Sequence, residues 1–248
     1  MLNNSVKIAV AEAIGTFALI FVGVLAITAV RIAGAPATAA DLASIGLAHG
    51  LTIAVMVAAL GAVSGGHFNP AVTFGFVVTG RMNPALGLLY WAAQLAGASG
   101  AGLLLAALFG PGLVSAGTPD LAGNLGLGAG VALEAITTFF LVLVVFGTAV
   151  DERGPKAVTP LAIGLTVALD IMAIGPLTGA AMNPARTFGP ALASGHWANH
   201  LVYWIGPLLG GGLAALVHQL VLAERPSLAA EARGAPAGLL QEVEVAGQ

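Results

Sequence analysis

The sequence predicts an all-α membrane protein with six transmembrane helices plus two re-entrant half-helices, arranged as an inverted repeat. Three observations carry this reading. The chain is 58% apolar and only 8% charged, whereas a soluble domain holds about 25% charged residues, so lipid must be part of its solvent. Its apolar residues gather into six runs of spanning length and two of half that length. The second half of the chain also restates the first.

A spanning helix needs about 20 mostly apolar residues. Residues 8–30, 41–62, 84–108, 128–150, 157–176 and 198–222 meet that requirement. Their ends carry Pro, Gly or charge, as in Asn83-Pro84, Gly110-Pro111 and the DERGPK of 151–156. The N-terminal MLNNSVKIAV lacks a cleavage site, and the run behind it is long enough to span, so it reads as a first helix rather than a signal peptide. Two further runs, Asn69–Val78 and Asn183–Leu192, would cover only about 15 Å as helices, half the hydrocarbon thickness. They can dip into the membrane but cannot cross it.

The repetition is explicit. AEAIGTFALIFVG at 11–23 resembles LEAITTFFLVLVVFG at 133–147, and GLTIAV at 50–55 resembles GLTVAL at 164–169. HFNPAVTFG at 67–75 matches AMNPARTFG at 181–189, and YWAAQLAG at 90–97 echoes YWIGPLLG at 203–210. Each unit holds three spans and one half-span. Three is odd, so the second unit enters the membrane upside down, an arrangement that places sites near the midplane where the repeats meet. The expected organisation is a single membrane domain over 1–222, with repeat one at about 8–108 and repeat two at about 128–222. Residues 223–248, rich in Ala and Gly, are expected to form a disordered cytoplasmic tail. Lys7, Arg81, Arg153, Lys156, Arg225 and Arg233 fall on one side of this topology and Arg31 on the other. The excess of basic residues puts both termini in the cytoplasm.

Non-helical backbone at membrane depth is tolerated only against protein or a wet cavity. Asn is a preferred N-cap and Pro a preferred first helical residue, so Asn69-Pro70-Ala71 and Asn183-Pro184-Ala185 each start a half-helix. If each Asn oxygen caps its own helix, its NH₂ is left as a donor, and inverted symmetry brings the two donors together at mid-membrane. The preceding residues, Gly65, Gly66, His67 and Phe68 in one unit and Gly179, Ala180, Ala181 and Met182 in the other, form extended legs whose carbonyls offer a ladder of acceptors. Arg186 opposes the dipole of its own half-helix, and the first repeat has Val72 there. An intramembrane charge of this kind marks a pathway.

Other functions lack material. Net charge is −3 with no basic block, which argues against nucleic acid. No cysteine is present, so disulfides and thiolate ligands are excluded. The five histidines show no metal-ligand spacing, and no catalytic triad or phosphate loop stands out. No enzyme activity, cofactor or metal is expected.

With six spans, two half-helices, and NPAV and NPAR set in SGGHFNPAVTFG and TGAAMNPARTFG, residues 8–222 closely resemble the aquaporin, or major intrinsic protein, family. The resemblance implies an aquaporin-like right-handed bundle, usually a homotetramer in a lipid bilayer with one pore per subunit. It also implies a four-residue selectivity filter at His49, Ile171, Ala180 and Arg186. His-Ile-Ala-Arg is similar to the filters of plant vacuolar aquaporins, some of which also pass ammonia, urea or peroxide. Thr187, Ala191, Tyr203 and Trp204 side with water channels rather than glycerol facilitators. His49, as a neutral imidazole, would offer a solute one donor and one acceptor.

Glu12 and Glu134 occupy matching sites. They read either as a proton relay or as acceptors for the backbone of the legs, and the resemblance favours the second. Gln94 and His67 read as similar supports. Asp170 is turned about 100° from Ile171, toward a subunit contact or an outer loop. Gly50 with Gly164, and Gly97 with Gly210, suggest close helix crossings. The expected function is a passive channel in the cell membrane for water, excluding protons and ions and leaving room for small neutral solutes such as ammonia. The alternatives are a broader facilitator of ammonia, urea, hydrogen peroxide or glycerol, and a proton-coupled transporter.

Overall fold

The computed structural model describes residues 3–34 and 38–224; all but the first two residues of the expected tail, Arg225 and Arg233 among them, lie outside these. The spanning helices are α1 (Asn4–Ile32), α2 (Ala39–Ser64), α4 (Pro84–Phe109), α6 (Leu127–Val145), α7 (Thr159–Thr178) and α9 (Val202–Val217), and the half-helices are α3 (Pro70–Val78) and α8 (Pro184–Ser194). All six spans and both half-spans stand where the apolar runs predict them. A short α5 (Pro111–Ala116) was not anticipated. Single π-helical turns, Phe146–Val150 and His218–Leu222, extend α6 and α9.

Local chemistry sets the ends. Thr38 and Asp41 form a reciprocal capping box at the start of α2, which satisfies two of its orphan donors. Asn83 caps α4 through the Leu86 N–H at 2.8 Å, with Pro84 in the first turn. The spans that feed the half-helices, α2 and α7, both end on a glycine in the left-handed region, Gly65 (φ 86°) and Gly179 (φ 81°). Only glycine enters that region without steric cost. The same device at the same place in both units turns the chain back toward the membrane centre.

The two units pack about a pseudo-twofold axis. At its centre α2 crosses α7 backbone to backbone: a Cβ on Gly50 would lie 2.3 Å from the Gly164 carbonyl oxygen, and one on Gly164 would lie 2.3 Å from that of Gly50. Gly97 of α4 meets the Ala13 carbonyl of α1, and Gly210 of α9 meets the Ala135 carbonyl of α6, at equally forbidding distances for a Cβ. These are the crossings that the matched small residues suggest.

Polarity is inverted relative to a soluble protein. Glu12, Gln94, Glu134, Thr138 and Thr178 are fully buried, while Leu88, Leu103, Ile136, Leu169 and Leu209 are exposed. Six helices, three of them including their terminal turns, are long and apolar enough to cross a membrane. The protein is a multi-pass membrane protein. Six crossings return the chain to its starting side, so residues 3 and 224 share one face, here the termini face. Arg153, between α6 and α7, confirms the closure by donating to the Leu222 carbonyl at 2.9 Å and to Glu224 at 3.2 Å.

Candidate pore and selectivity filter

Two buried carboxylates organise the legs that precede the half-helices. Glu12 of α1 accepts from the backbone N–H groups of His67 (3.0 Å) and Phe68 (2.7 Å), from Ser64 Oγ (2.6 Å) and from Gln94 Nε2 (2.7 Å). Glu134 of α6 accepts from the N–H groups of Ala181 (3.0 Å) and Met182 (2.7 Å) and from Thr178 Oγ1 (2.7 Å). The legs cannot form helical or sheet bonds, so the glutamates supply the missing acceptors, as buried donors require. Of the two roles open to these carboxylates, the structure shows the supporting one. Tyr90 and Tyr203 mirror each other as well, donating to the Ser64 and Thr178 carbonyls at 2.5 and 2.7 Å.

The supports differ in one respect. Gln94 also donates to Thr73 Oγ1 at 3.0 Å, and His67 Nδ1 lies 3.0 Å from the same hydroxyl. The equivalent of Gln94 in the second unit is Pro207, so only the first leg has this polar brace. The legs are held in an otherwise costly backbone conformation: Phe68, Ala180 and Met182 have φ of 48°, 45° and 51°. The dense bonding around each leg sustains that strain.

Asn69 Oδ1 accepts from the Ala71 N–H at 2.8 Å, and Asn183 Oδ1 accepts from Ala185 at 3.0 Å and Arg186 at 3.3 Å. Both are the N-caps the sequence predicts. Their amide groups do something the sequence did not reveal. Asn69 Nδ2 donates to the Met182 carbonyl at 2.8 Å, and Asn183 Nδ2 donates to the Phe68 carbonyl at 2.9 Å. Each NH₂ therefore spends one hydrogen on the opposite unit's leg and retains one. The Phe68 and Met182 carbonyls of the expected ladder thus each accept one asparagine bond, with a second lone pair left over. The Phe68 ring also turns away from the cavity, into the slot that Gly15 leaves on α1.

A cavity of about 230 Å³ runs from Ala149 and Thr159 near the termini face, past Asn69 and Asn183, to His49, Ile171, Ala180 and Arg186. Gly65, Gly66, His67, Ala181 and Met182 also line it. A second cavity of about 450 Å³ opens toward the other face past Leu42, Pro119 and Gly179. His49, Ile171 and Arg186 line both cavities, so they mark the neck between them. Ala180 lines the inner cavity at that neck. The structure thus brings together all four residues of the expected filter, from α2, α7, the second leg and α8.

Arg186 is buried and donates from Nη1 to the Gly117 carbonyl at 2.8 Å. His49 Nδ1 donates to the Ile45 carbonyl one turn back, at 2.8 Å. A carbonyl can only accept, so Nδ1 carries the proton and Nε2 is a bare acceptor beside Gly23. The expectation that His49 offers both a donor and an acceptor is therefore corrected: its donor is spent within its own helix. Asp170 also differs from expectation. It is buried within the chain rather than facing a partner or a loop, and its Oδ2 has no hydrogen-bond partner among the described residues.

The sequence pattern described as Major intrinsic protein matches residues 2–218. The chain belongs to that family. It is therefore a channel protein and not an enzyme. Among similar aquaporins, "Aquaporin TIP4-4" of Zea mays is 48% identical over 218 residues, covering 86% of this chain and 85% of that protein. "Aquaporin TIP2-1" of Arabidopsis thaliana is 44% identical, with 86% of each covered. The X-ray structure of the aquaglyceroporin from Plasmodium falciparum aligns with a TM-score of 0.74 at 25% identity, covering 88% of this chain and 97% of that one.

Proposed function

We propose that the protein is a passive water channel that excludes protons and ions. One observation carries the reading: Asn69 and Asn183, each capping a half-helix, line a single cavity and are tied to each other's leg. Each amide keeps one N–H for the lumen. A water between them turns its oxygen toward those donors and its hydrogens along the pore, so it cannot accept from the next water. The proton-hopping chain breaks there. Two helix N-termini, each worth roughly half a positive charge, and the Arg186 guanidinium repel hydronium and metal cations.

In this reading His49, Ile171, Ala180 and Arg186 form the selectivity filter, with Arg186 as donor, the His49 ring as one wall and the other two as apolar walls. Two small or apolar sides leave room for ammonia and similar neutral solutes beside water. The proton-coupled alternative finds no support in Glu12 and Glu134, whose oxygens are committed to backbone and side-chain donors. Residues 1–222 form the channel domain. The basic residues Lys7, Arg81, Arg153 and Lys156 on the termini face support a cell-membrane protein with cytoplasmic termini. Homotetramer assembly, one pore per subunit, follows the family resemblance and is checked by native mass measurement in detergent.

The decisive experiment is stopped-flow light scattering on proteoliposomes of the full chain. Osmotic water flux should far exceed that of empty vesicles and stay linear in the gradient, and a trapped pH dye should report no proton leak. Saturating, pH-driven flux would overturn the channel reading.

A further inference from the structure

The filter arginine is held by surprisingly little. Among the described residues, the Gly117 carbonyl is the one protein hydrogen-bond partner of its guanidinium, and Nε is buried without any. The position of Arg186 therefore depends on where residue 117 stands, and residue 117 begins an irregular segment between α5 and α6. That segment is tied at several points. The Ala122 N–H donates to the Leu177 carbonyl at 2.8 Å, and Pro119 packs against the outside of Gly179. The most heavily bonded point is Asp120. His196 Nε2 donates to its Oδ2 at 2.7 Å, while Asn199 Nδ2 and the Leu121 N–H both donate to its Oδ1 at 2.8 Å. His196 and Asn199 belong to the 195–201 segment that leaves the end of α8, the half-helix that carries Arg186.

We propose that Asp120 is a positioning residue for the filter: its carboxylate fastens the segment bearing Gly117 to the segment behind α8, and so holds the Gly117 carbonyl against Arg186. The inference rests on the reading of Arg186 as a filter group. The geometry closes a ring, from Arg186 through Gly117 to Asp120, across to His196, and back along α8. A ring resists displacement where a single carbonyl contact would not. Asp120 does not line either cavity, so it touches no solute and acts only through Arg186.

The test measures the ratio of urea to water permeability in proteoliposomes of Asp120→Ala, Asp120→Asn, Arg186→Val and the Asp120→Ala/Arg186→Val double variant. Asp120→Ala should raise the ratio by about three- to tenfold, and Asp120→Asn, which keeps an acceptor oxygen, should restore most of the wild-type value. In the Arg186→Val background, Asp120→Ala should change the ratio no further, because the group it positions is gone. An unaltered ratio in Asp120→Ala, or an equal rise in both backgrounds, overturns the proposal. A second measurement stands apart from transport: amide hydrogen exchange of residues 117–122 in lipid nanodiscs. Exchange should quicken in Asp120→Ala and not in Asp120→Asn; equal protection in all three proteins also overturns it. A wild type with no flux above empty vesicles indicts the channel reading instead, and the exchange measurement then still decides the role of Asp120.

Discussion

Gly23 of α1 and His49 of α2 interlock. A Cβ on residue 23 would fall 2.2 Å from His49 Nε2, so the imidazole occupies space that only glycine leaves free. The neck of the pore thus depends on a residue that does not line it. Gly23→Ala should drive the ring toward the lumen and lower water permeability by about threefold or more, since a single-file constriction tolerates little added bulk. Stopped-flow shrinkage compares the variant with wild type at matched protein content, and equal rates would mean the ring has another place to go.

Arg186→Val removes the only charge in the filter and replaces it with the residue type found at Val72. Urea and glycerol permeability should rise relative to water, and a cation leak should appear in vesicles held at a diffusion potential. A solute profile matching wild type would remove Arg186 from its assigned role.

The two buried glutamates should differ in the cost of their loss. Glu12→Ala strands four donors and Glu134→Ala three, and each unsatisfied buried donor costs about 1–3 kcal/mol. Thermal unfolding in detergent should therefore place Glu12→Ala below Glu134→Ala, and both well below wild type. Glu134→Gln, which keeps one acceptor oxygen, should fall between. The reverse order of the two alanine variants would show that the legs are held chiefly by something else.

The chain contains no cysteine. Mercurials that act by capping a pore thiol should leave water flux unchanged at concentrations that block cysteine-bearing channels. Strong inhibition would locate a different target and a different mechanism.

Acid on the face opposite the termini should leave the filter unaffected down to low pH. Burial pushes the Asp120 carboxyl up, but the hydrogen bonds from Asn199, the Leu121 N–H and His196 together bring it below its ordinary value. A carboxylate lowered in the folded state stabilises at every pH above its unfolded value of about 4, and that contribution fades only as pH falls through the lower folded value. The urea-to-water permeability ratio should accordingly be flat from about pH 8 to pH 5. A step near pH 6 would point to histidine control.

Much of this structure is legible in the sequence because its signals are local or duplicated. Run length separates spans from half-spans, and Asn-Pro announces each half-helix. The matched Glu12 and Glu134 are conspicuous because buried charge is rare in lipid. What escaped was non-local or too short to show. The bonds from Asn69 Nδ2 to Met182 and from Asn183 Nδ2 to Phe68 join atoms more than a hundred residues apart, and nothing near either asparagine encodes them. The six residues of α5 fall below the length at which periodicity is visible, although Pro111 marks their start. The proton on His49 Nδ1 could have been suspected, since a helical side chain reaches the carbonyl four residues back, but only coordinates show that this one does. Nothing beside Asp120 in the sequence marks it, because His196 and Asn199, which converge on it, lie more than seventy residues away.

The exchanged asparagine bonds also bear on how such a molecule could arise. Neither half is chemically finished by itself: each has a carbonyl and an amide whose partner in the fold is supplied by the other half. A lone ancestral half would have met that demand by pairing with an inverted twin, and fusing the two into a single gene made the partnership permanent. Once fused, the halves could diverge, and they differ now at the matched positions Val72 and Arg186.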